Sequence, residues 1–507
     1  MKKQVFNPFL PLWEYVPDGE HHVIGDRIYL FGSHDVEGAD RYCPTGDYPL
    51  WSAPVGDLSD WRYDGIIYRG TDDPDSTPGC SDLYAPDVVQ GKDGRFYLYY
   101  TLSGPAGKGF ASPFSVAVSD KVEGPYHYYG KVCNPDGNLF LQYIDHDAAV
   151  LNDEGTFRLY FGYSISGVAA AANSGRGEPD REAKMVPTEY LIPAEKMLFG
   201  RSEEELRSLP NDIMGANHVE LEDDMLTVRG QVSRIVPGQF QALGTGFEGH
   251  AFYEAASCRK IGNTYYFIYS SQESHELCYA TSEYPDRGFV YRGILNSNGD
   301  VGLKERKPEA RLNMTANNHG SLECVNGQWY IFYHRQTHNS TYSRQACAEK
   351  VTILPDGSIA QAECTSCGLN GGALIPQGTY PAPIACNLTN GHMPHATNRV
   401  VNADIPYITH SGEGKDAERF IANIMDGTMI GFKYFAFTGE TKFTVTVRGG
   451  GGCFGVYTDN EKQGEISFCA NGDWHTESLT FSTKGDKAIY LHFRGVERCE
   501  LLDIQFA

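Results

Sequence analysis

The stretch "IGNTYYFIYSS", residues 261–271, joins a Gly-bearing turn to a strand of aromatic and β-branched residues. Such residues suit the pleated, half-buried surface of a sheet. The same pattern of turn and aromatic strand occurs in "GDRIYLFGSHD" (25–35), "DGRFYLYYTLS" (93–103), "EGTFRLYFGYS" (154–164) and "NGQWYIFYHRQ" (326–336). Because short strands flank these copies and helical periodicity is almost absent, the repeats predict an all-β fold, a five-bladed β-propeller.

The longest gap between repeats follows the third copy. It contains the polar, Gly-bearing residues 169–209, which we interpret as a loop inserted into the third blade. Its last part, "SEEELRSL" (202–209), predicts a short helix, and the strand-like stretch 218–236 predicts where the blade resumes.

A second domain follows the propeller. The pattern predicts a propeller over 1–360, a Gly- and Pro-rich linker over 361–385 and a β-sandwich of the jelly-roll type over 386–507. Two domains are also expected because 507 residues exceed what one hydrophobic core usually supports.

The composition excludes some classes of partner. A formal net charge of −23 repels nucleic acid and anionic lipid, and no apolar run is long enough for a membrane span. The 13 cysteines, an odd number, and the absence of a signal-peptide pattern predict a cytoplasmic protein, although a secreted protein whose leader has been removed is an open alternative. The oligomeric state is left open.

A polar residue stands about ten positions before each aromatic strand, where the innermost strands of a propeller converge. These residues are Asp18, Asp87, Asp147, Glu254 and His319. Two carboxyl groups on either side of a bond, one protonated and one ionised, are the arrangement that hydrolyses glycosides. A third carboxylate and the aromatic neighbours of Glu254 would keep that group protonated.

These segments resemble glycoside hydrolase family 43, five-bladed propeller enzymes that act with inversion on arabinofuranosides, xylosides and related sugars. The resemblance implies that Asp18 is the general base, Glu254 the general acid and Asp147 the residue that tunes and orients the acid. Asp147 is preferred to Asp145 because it heads the strand "AAVL". The chain differs from many members in having Ala148 where they have Pro.

The resemblance also implies residues around the acids. Tyr84 stands where many members have Trp, Arg335 where a substrate-facing arginine is frequent, and His22 is a candidate for substrate contact. His319 stands where the family often has a histidine near a calcium ion or a water cluster, so Ca²⁺ is the expected cofactor and no organic cofactor is expected. Asp87, in "APD", is expected to support the blade.

The C-terminal region resembles a family 6 carbohydrate-binding module, in "FKYFAFTGETKFTVTVRGGGGCFGVYTDN" (432–460) and "AIYLHFRGVERCELLDIQF" (488–506). Two interpretations stay open at this point. The domain either binds glycan or only supports the propeller.

The sequence therefore predicts an inverting exo-glycosidase that releases terminal α-L-arabinofuranose from oligosaccharides or glycan side chains. Inversion requires about 6.5–9.5 Å between the carboxyl groups of Asp18 and Glu254. β-Xylosidase and galactofuranosidase activities are alternatives within the same chemistry. A non-catalytic carbohydrate-binding propeller and a phosphorolytic enzyme are alternatives of other classes, and both are disfavoured because all three acids are intact and basic residues are few near them.

Overall fold

The computed structural model describes residues 3–103, 113–164, 188–209, 213–272, 275–396 and 404–507. It confirms the predicted fold class, an all-β chain with a five-bladed propeller followed by a β-sandwich. Within the described ranges, no helix is long and apolar enough to cross a bilayer.

The propeller consists of five antiparallel sheets, each built in simple strand order. The first two blades contain β1 (Glu20–Ile24), β2 (Arg27–Phe31), β3 (Asp47–Pro54), β4 (Arg62–Arg69), β5 (Leu83–Gln90), β6 (Phe96–Leu102), β7 (Ser115–Ser119) and β8 (His127–Lys131). The other three contain β9 (Ala149–Asp153), β10 (Thr156–Tyr163), β11 (Gly215–Leu221), β12 (Val228–Pro237), β13 (Phe252–Ile261), β14 (Thr264–Ser271), β15 (Leu277–Ser282), β16 (Val290–Asn296), β17 (Leu322–Val325), β18 (Gln328–Gln336) and β19 (Arg344–Val351). Each predicted aromatic strand is the second strand of a blade.

The insertion in the third blade carries the two α-helices of the described residues, α1 (Thr188–Phe199) and α2 (Glu203–Ser208). The second helix confirms the one predicted at 202–209, and the Ser202 hydroxyl caps it by accepting from the Glu205 N–H. The chain then returns to the blade, where β11 pairs with β10 and β12 pairs with β11. Residues 165–187 of the predicted insertion lie outside the described residues.

The N-terminal segment closes the ring by packing on the fifth blade. The Phe9 N–H donates to the Ala346 carbonyl of β19, and the Asn7 side chain donates to the Ala348 carbonyl at 2.9 Å. Phe9 also packs against Phe332 of β18 within a shared apolar cluster. The two ends of the propeller are therefore held together by backbone pairing and apolar burial.

The sandwich encloses a core of buried aliphatic and aromatic side chains, among them Phe432, Phe443, Phe454 and Ile489. Its strands are β20 (Gly378–Pro381), β21 (Asn387–Thr389), β22 (Tyr407–Ser411), β23 (Glu418–Ile424), β24 (Met429–Gly449), β25 (Gly452–Thr458), β26 (Glu461–Phe468), β27 (Asn471–Arg494) and β28 (Cys499–Phe506). Short 3₁₀ helices lie at Gly70–Asp72, Gln239–Gln241, Leu303–Glu305, Pro308–Ala310, Gly368–Asn370 and Ala382–Ile384.

The segment predicted as a linker, 361–385, is itself structured. Its strand β20 pairs with β28 of the sandwich, and the Asn7 N–H of the propeller donates to the Ser366 carbonyl. This segment is thus bonded to both domains.

Candidate active site

One pocket of the propeller collects all three predicted acids. It is lined by Asp18, Tyr42, Cys43, Tyr84, Ala85, His146, Asp147, Tyr163, Tyr253, Glu254, His275, Asn317, His319 and Arg344. These residues come from all five blades or from loops that lead into them, so the radial arrangement gathers side chains that are far apart in the chain.

The backbone at the acids has an uncommon conformation. Asp18, Asp147 and Ala255, which follows Glu254, have φ angles of 56°, 50° and 68°. Non-glycine residues are infrequent in this left-handed region, and such strained positions cluster at functional sites. Each of the three acids is therefore at, or next to, a residue that the surrounding fold holds in a costly conformation.

A β-bulge aims Glu254 into the pocket. Glu254 pairs with Ser270 and Ser257 pairs with Ile268, so β13 carries one residue more than β14 between these pairs. Ala255 in the bulge donates its N–H to Asp147 Oδ2 at 2.7 Å. The bulge thus positions the acid and ties Asp147 to the same backbone.

Asp18 is surrounded by groups that favour its ionised form. Burial, the largest single effect, would raise its pKa, but the charge of the Arg344 guanidinium, 2.7 Å from Oδ1, and smaller effects of His334, His319 and the Ser33 hydroxyl together hold the pKa of Asp18 below its usual value. His334 also lies close, with Nδ1 3.5 Å from Oδ1, and burial lowers the pKa of His334 to about 3. Asp18 is therefore an ionised base near neutral pH.

Arg344 is held in place by a second carboxylate. Its Nε and Nη2 donate to Asp35 at 2.8 and 3.1 Å, and both side chains are almost completely buried. Paired, charge-assisted bonds of this kind fix the plane of a guanidinium.

Glu254 has the opposite environment. Its side chain is 16% exposed, and burial, followed by the negative charges of Asp147 and Asp18, raises its pKa well above the usual value. The nearest histidine, His275, lies with Nδ1 3.9 Å from Glu254 Oε1. Glu254 is therefore a protonated acid near neutral pH, and the pocket holds a base and an acid together.

The structure separates the three residues predicted to bind substrate. Tyr84 lines the pocket. His22 lies elsewhere, with Nε2 2.7 Å from Asp87 Oδ1, and Arg335 donates to the Ala385 and Pro383 carbonyls next to the sandwich. Arg335 and His334 are neighbours on β18 and point to opposite faces, which places His334 beside Asp18 and Arg335 outside the pocket.

Asp87 has the supporting role expected of it. Its Oδ1 accepts from the Val88 N–H and bonds to His22, and its Oδ2 accepts from the Val150 N–H at 2.7 Å. This single carboxylate joins β1, β5 and β9.

His319 lines the pocket, and its Nε2 is buried without a hydrogen-bond partner among the described residues. Calcium takes six to eight oxygen ligands. In the described part of the chain, His319 belongs to no group of three or more His, Cys, Asp or Glu side chains close enough to share an ion. His319 therefore has no cluster of such ligands around it among the described residues, and the proton transfers proposed for this pocket use its own carboxyl groups.

Sequence reasoning missed five residues in or next to the pocket. Arg344, His275 and His146 line it, while Asp35 pairs with Arg344 and His334 lies beside Asp18. Asp35 ends the quoted repeat "GDRIYLFGSHD", so a comparison of the repeat ends could have found it. Arg344 gave no such signal, because it heads an outer strand and meets Asp18 across 326 positions of the chain.

Comparisons with known proteins identify the family. The family model described as glycosyl hydrolases family 43 matches residues 7–177 and 198–359. A protein from Thermoclostridium stercorarium named xylosidase/arabinosidase is 42% identical over 510 residues, which cover 98% of this chain and 97% of that protein. Xylosidase/arabinosidase 43A from Humicola insolens is 28% identical and covers 63% of this chain and 88% of that protein.

A solved structure has the same fold. The GH43_1 enzyme from Xanthomonas citri matches with a TM-score of 0.50 at 22% identity, covering 71% of this chain and 94% of that one. The family match spans well over half of the chain and includes the three acids of the pocket. The chain therefore belongs to glycosyl hydrolase family 43 and is a glycosidase.

Proposed function

We propose that the protein is an inverting exo-glycosidase that removes terminal α-L-arabinofuranose, with terminal β-xylose as the second candidate sugar. The observation that carries the proposal is the opposite state of two carboxyl groups in one pocket. Arg344 keeps Asp18 ionised, while burial and two neighbouring carboxylates keep Glu254 protonated. A base and an acid in this relation are what glycoside hydrolysis requires.

In the proposed reaction, Asp18 takes a proton from a water molecule as the water oxygen attacks the anomeric carbon. Glu254 gives its proton to the glycosidic oxygen as the bond to the anomeric carbon breaks. Asp147, tied to the bulge by the Ala255 N–H, keeps the acid oriented and supplies the negative charge that keeps it protonated. Inversion follows because water and leaving group are on opposite faces of the sugar.

The choice of sugar is supported by the named relatives. The Thermoclostridium stercorarium and Humicola insolens proteins are both named for xylosidase and arabinosidase activity. Among the pocket residues, Tyr42, Tyr84, Tyr163 and Tyr253 offer ring faces and hydroxyl groups, which suit a neutral sugar. Galactofuranose, weighed from the sequence, has no such support.

The test compares Asp18→Asn and Glu254→Gln on two substrates, an arabino- or xylo-oligosaccharide and the nitrophenyl glycoside of the same sugar. We expect Asp18→Asn to lower kcat/KM by about 10³-fold or more on both, because both need an activated water. We expect Glu254→Gln to lose about 10²–10⁴-fold on the oligosaccharide and much less on the nitrophenyl glycoside, whose leaving group needs little protonation.

Asp145→Asn is the matched control, since Asp145 is buried near Asp147 but does not line the pocket. The activity of the Asp145→Asn variant should equal that of the unchanged protein. Proton NMR of the first product should show the inverted anomer. Retention, or equal losses for Glu254→Gln on both substrates, would contradict the assigned roles.

A further inference from the structure

The connection between β21 and β22 of the sandwich reaches the wall of the catalytic pocket. After β21 the chain runs back over the propeller, where the Thr315 N–H donates to the Pro394 carbonyl at 3.1 Å and the Ala396 N–H donates to the Thr315 carbonyl at 2.8 Å. Met314 of the propeller packs with Met393 and Ala396 in a buried apolar cluster. The segment 393–396, here called the strap, is thus bonded to a propeller loop that leads to His319.

His395 of the strap contacts a residue of the pocket wall. Its Nδ1 forms a 3.0 Å hydrogen bond with Thr315 Oγ1, which fixes the ring, and its ring centroid lies 5.1 Å from that of His275 at an interplanar angle of 32°. His275 is buried, and its contacts among the described residues include Ser270 Oγ at 3.1 Å, the Tyr253 ring at 4.5 Å and Glu254 Oε1 at 3.9 Å. His275 therefore lies between the sandwich and Glu254.

A buried ion pair lies at the domain contact from which the chain leads to the strap. Lys433 of β24 lies with Nζ 3.1 Å from Asp300 Oδ2, and both side chains are at most 2% exposed. Asn387 of β21, where the connection begins, also donates to Asp300 at 3.0 Å. The domain contact holds the start of the connection, and the bonds to Thr315 hold His395 itself against the propeller.

We propose that the sandwich is a working part of the catalytic unit, and that His395 is a positioning residue that holds His275 as a neutral imidazole beside the general acid. The proposal rests on the function proposed above. A protonated His275 next to Glu254 would stabilise the carboxylate and remove the proton that the reaction needs. Covering His275 with His395, whose own ring is half-buried and bonded to Thr315, keeps water and charge away from it.

The electrostatics agree with this geometry. Burial, followed by the nearby His395, lowers the pKa of His275 well below its usual value, and burial lowers the pKa of His395 to about 4. Among the described residues, the other titratable or charged groups facing His275, Glu254 or His395 are Asp18, Tyr42, His146, Asp147, Tyr163, Tyr253, Arg311, His334 and Arg344. Of these groups, Asp147 and Asp18 favour the protonated acid, and Arg344 opposes it.

The experiment measures the pH dependence of kcat/KM for His395→Asp, His395→Ala and His395→Phe. The carboxylate introduced by His395→Asp will raise the pKa of His275, so that His275 becomes protonated. Because His275 lies nearer to Glu254 than residue 395 does, the positive charge on His275 affects the pKa of Glu254 more than the new carboxylate does. We expect the alkaline limb, which reports the acid, to move down by about one pH unit. His395→Ala lets water reach His275, so it should move the alkaline limb in the same direction by a smaller amount. His395→Phe keeps His275 buried and should leave the alkaline limb where it is.

The matched control is His392→Asp, an exposed position on the same connection, which should leave the profile unchanged. A second readout is NMR of imidazole-labelled histidines, in which His275 should be neutral from pH 5 to 8 in the unchanged protein and protonated at neutral pH in His395→Asp. A folded His395→Asp or His395→Ala with an unchanged alkaline limb and a neutral His275 would overturn the inference. Absence of glycoside hydrolysis by the unchanged protein would instead overturn the proposed function, while the NMR arm still tests His395.

Discussion

At the scale of single residues, function depends on how two carboxyl groups in one pocket acquire opposite proton states. Both groups are largely buried, and among the groups that favour an ionised Asp18 the Arg344 guanidinium has the largest effect. Arg344 lies 2.7 Å from Asp18 and is held on its other side by Asp35, so its charge acts on the base, while the acid retains the repulsion of Asp147 and Asp18. Without Arg344, burial would raise the pKa of Asp18 towards that of Glu254, and the contrast between the two groups would shrink.

We therefore expect Arg344→Met to move the acidic limb of kcat/KM to higher pH, because Asp18 then takes up its proton more readily. The variant should also lose about 3–5 kcal/mol of unfolding free energy at neutral pH, since buried charges are left unpaired. The lowered pKa of Asp18 stabilises the fold above the unfolded value of about 3.9, so the difference should narrow below about pH 4.

Urea unfolding at several pH values measures the stability change. Arg41→Met is the control, because Arg41 is 58% exposed in its ion pair with Asp82 and such pairs contribute less than about 1 kcal/mol. Equal losses for the two variants would contradict the importance of the buried pair.

At the scale of elements, the innermost strands are joined by polar bonds as well as by apolar packing. The single carboxylate of Asp87 bonds both to His22 of β1 and to the Val150 N–H of β9. Asn at this position offers one acceptor oxygen where the carboxylate offers two, and its NH₂ group would face a backbone N–H. The substitution should therefore destabilise the junction between the blades and leave the pocket unchanged.

Asp87→Asn should accordingly lower the unfolding free energy by about 2–4 kcal/mol, as expected when buried donors lose their acceptor, while kcat of the folded fraction stays unchanged. Denaturant unfolding with activity measured on the same samples checks this. Asp93→Asn, in an exposed turn of the same hairpin, should change stability by less than about 1 kcal/mol. A large fall in kcat for Asp87→Asn would make Asp87 part of the catalytic machinery instead.

The elements also show what sequence reasoning could reach. The five aromatic strands predicted the blades, because each repeat carries its own turn and its own apolar pattern, and the acids ahead of them predicted the pocket. Three features could not be predicted from the sequence: the bulge at Ala255, the pairing of Asp18 with Arg344 and the position of Arg335. They depend on the register between strands and on which face a side chain occupies, and a one-residue shift reverses that face.

At the scale of the whole molecule, the propeller and the sandwich share a polar, buried interface. Lys433 bonds to Asp300 and, through Nζ at 3.1 Å, to Glu363 of the connecting segment. The resemblance to an appended carbohydrate-binding module did not indicate this contact, because an ion pair between distant segments leaves no local pattern in the sequence.

Lys433→Met should lower the unfolding free energy by about 3–5 kcal/mol, because it leaves the buried Asp300 carboxylate without its positively charged partner. The exposed Lys442→Met on the same strand should change it by less than about 0.5 kcal/mol. Denaturation followed by fluorescence measures both variants. Equal stabilities of the two variants would show that the interface contributes little.

The central claim is that Asp18, Asp147 and Glu254 act as one proton-handling cluster. The pH dependence of kcat/KM for Asp147→Asn, beside Asp145→Asn, tests it most directly. Removing the negative charge of Asp147 lowers the pKa of Glu254, so the alkaline limb should move to lower pH for Asp147→Asn and stay in place for Asp145→Asn. An alkaline limb that does not move in Asp147→Asn would contradict the account.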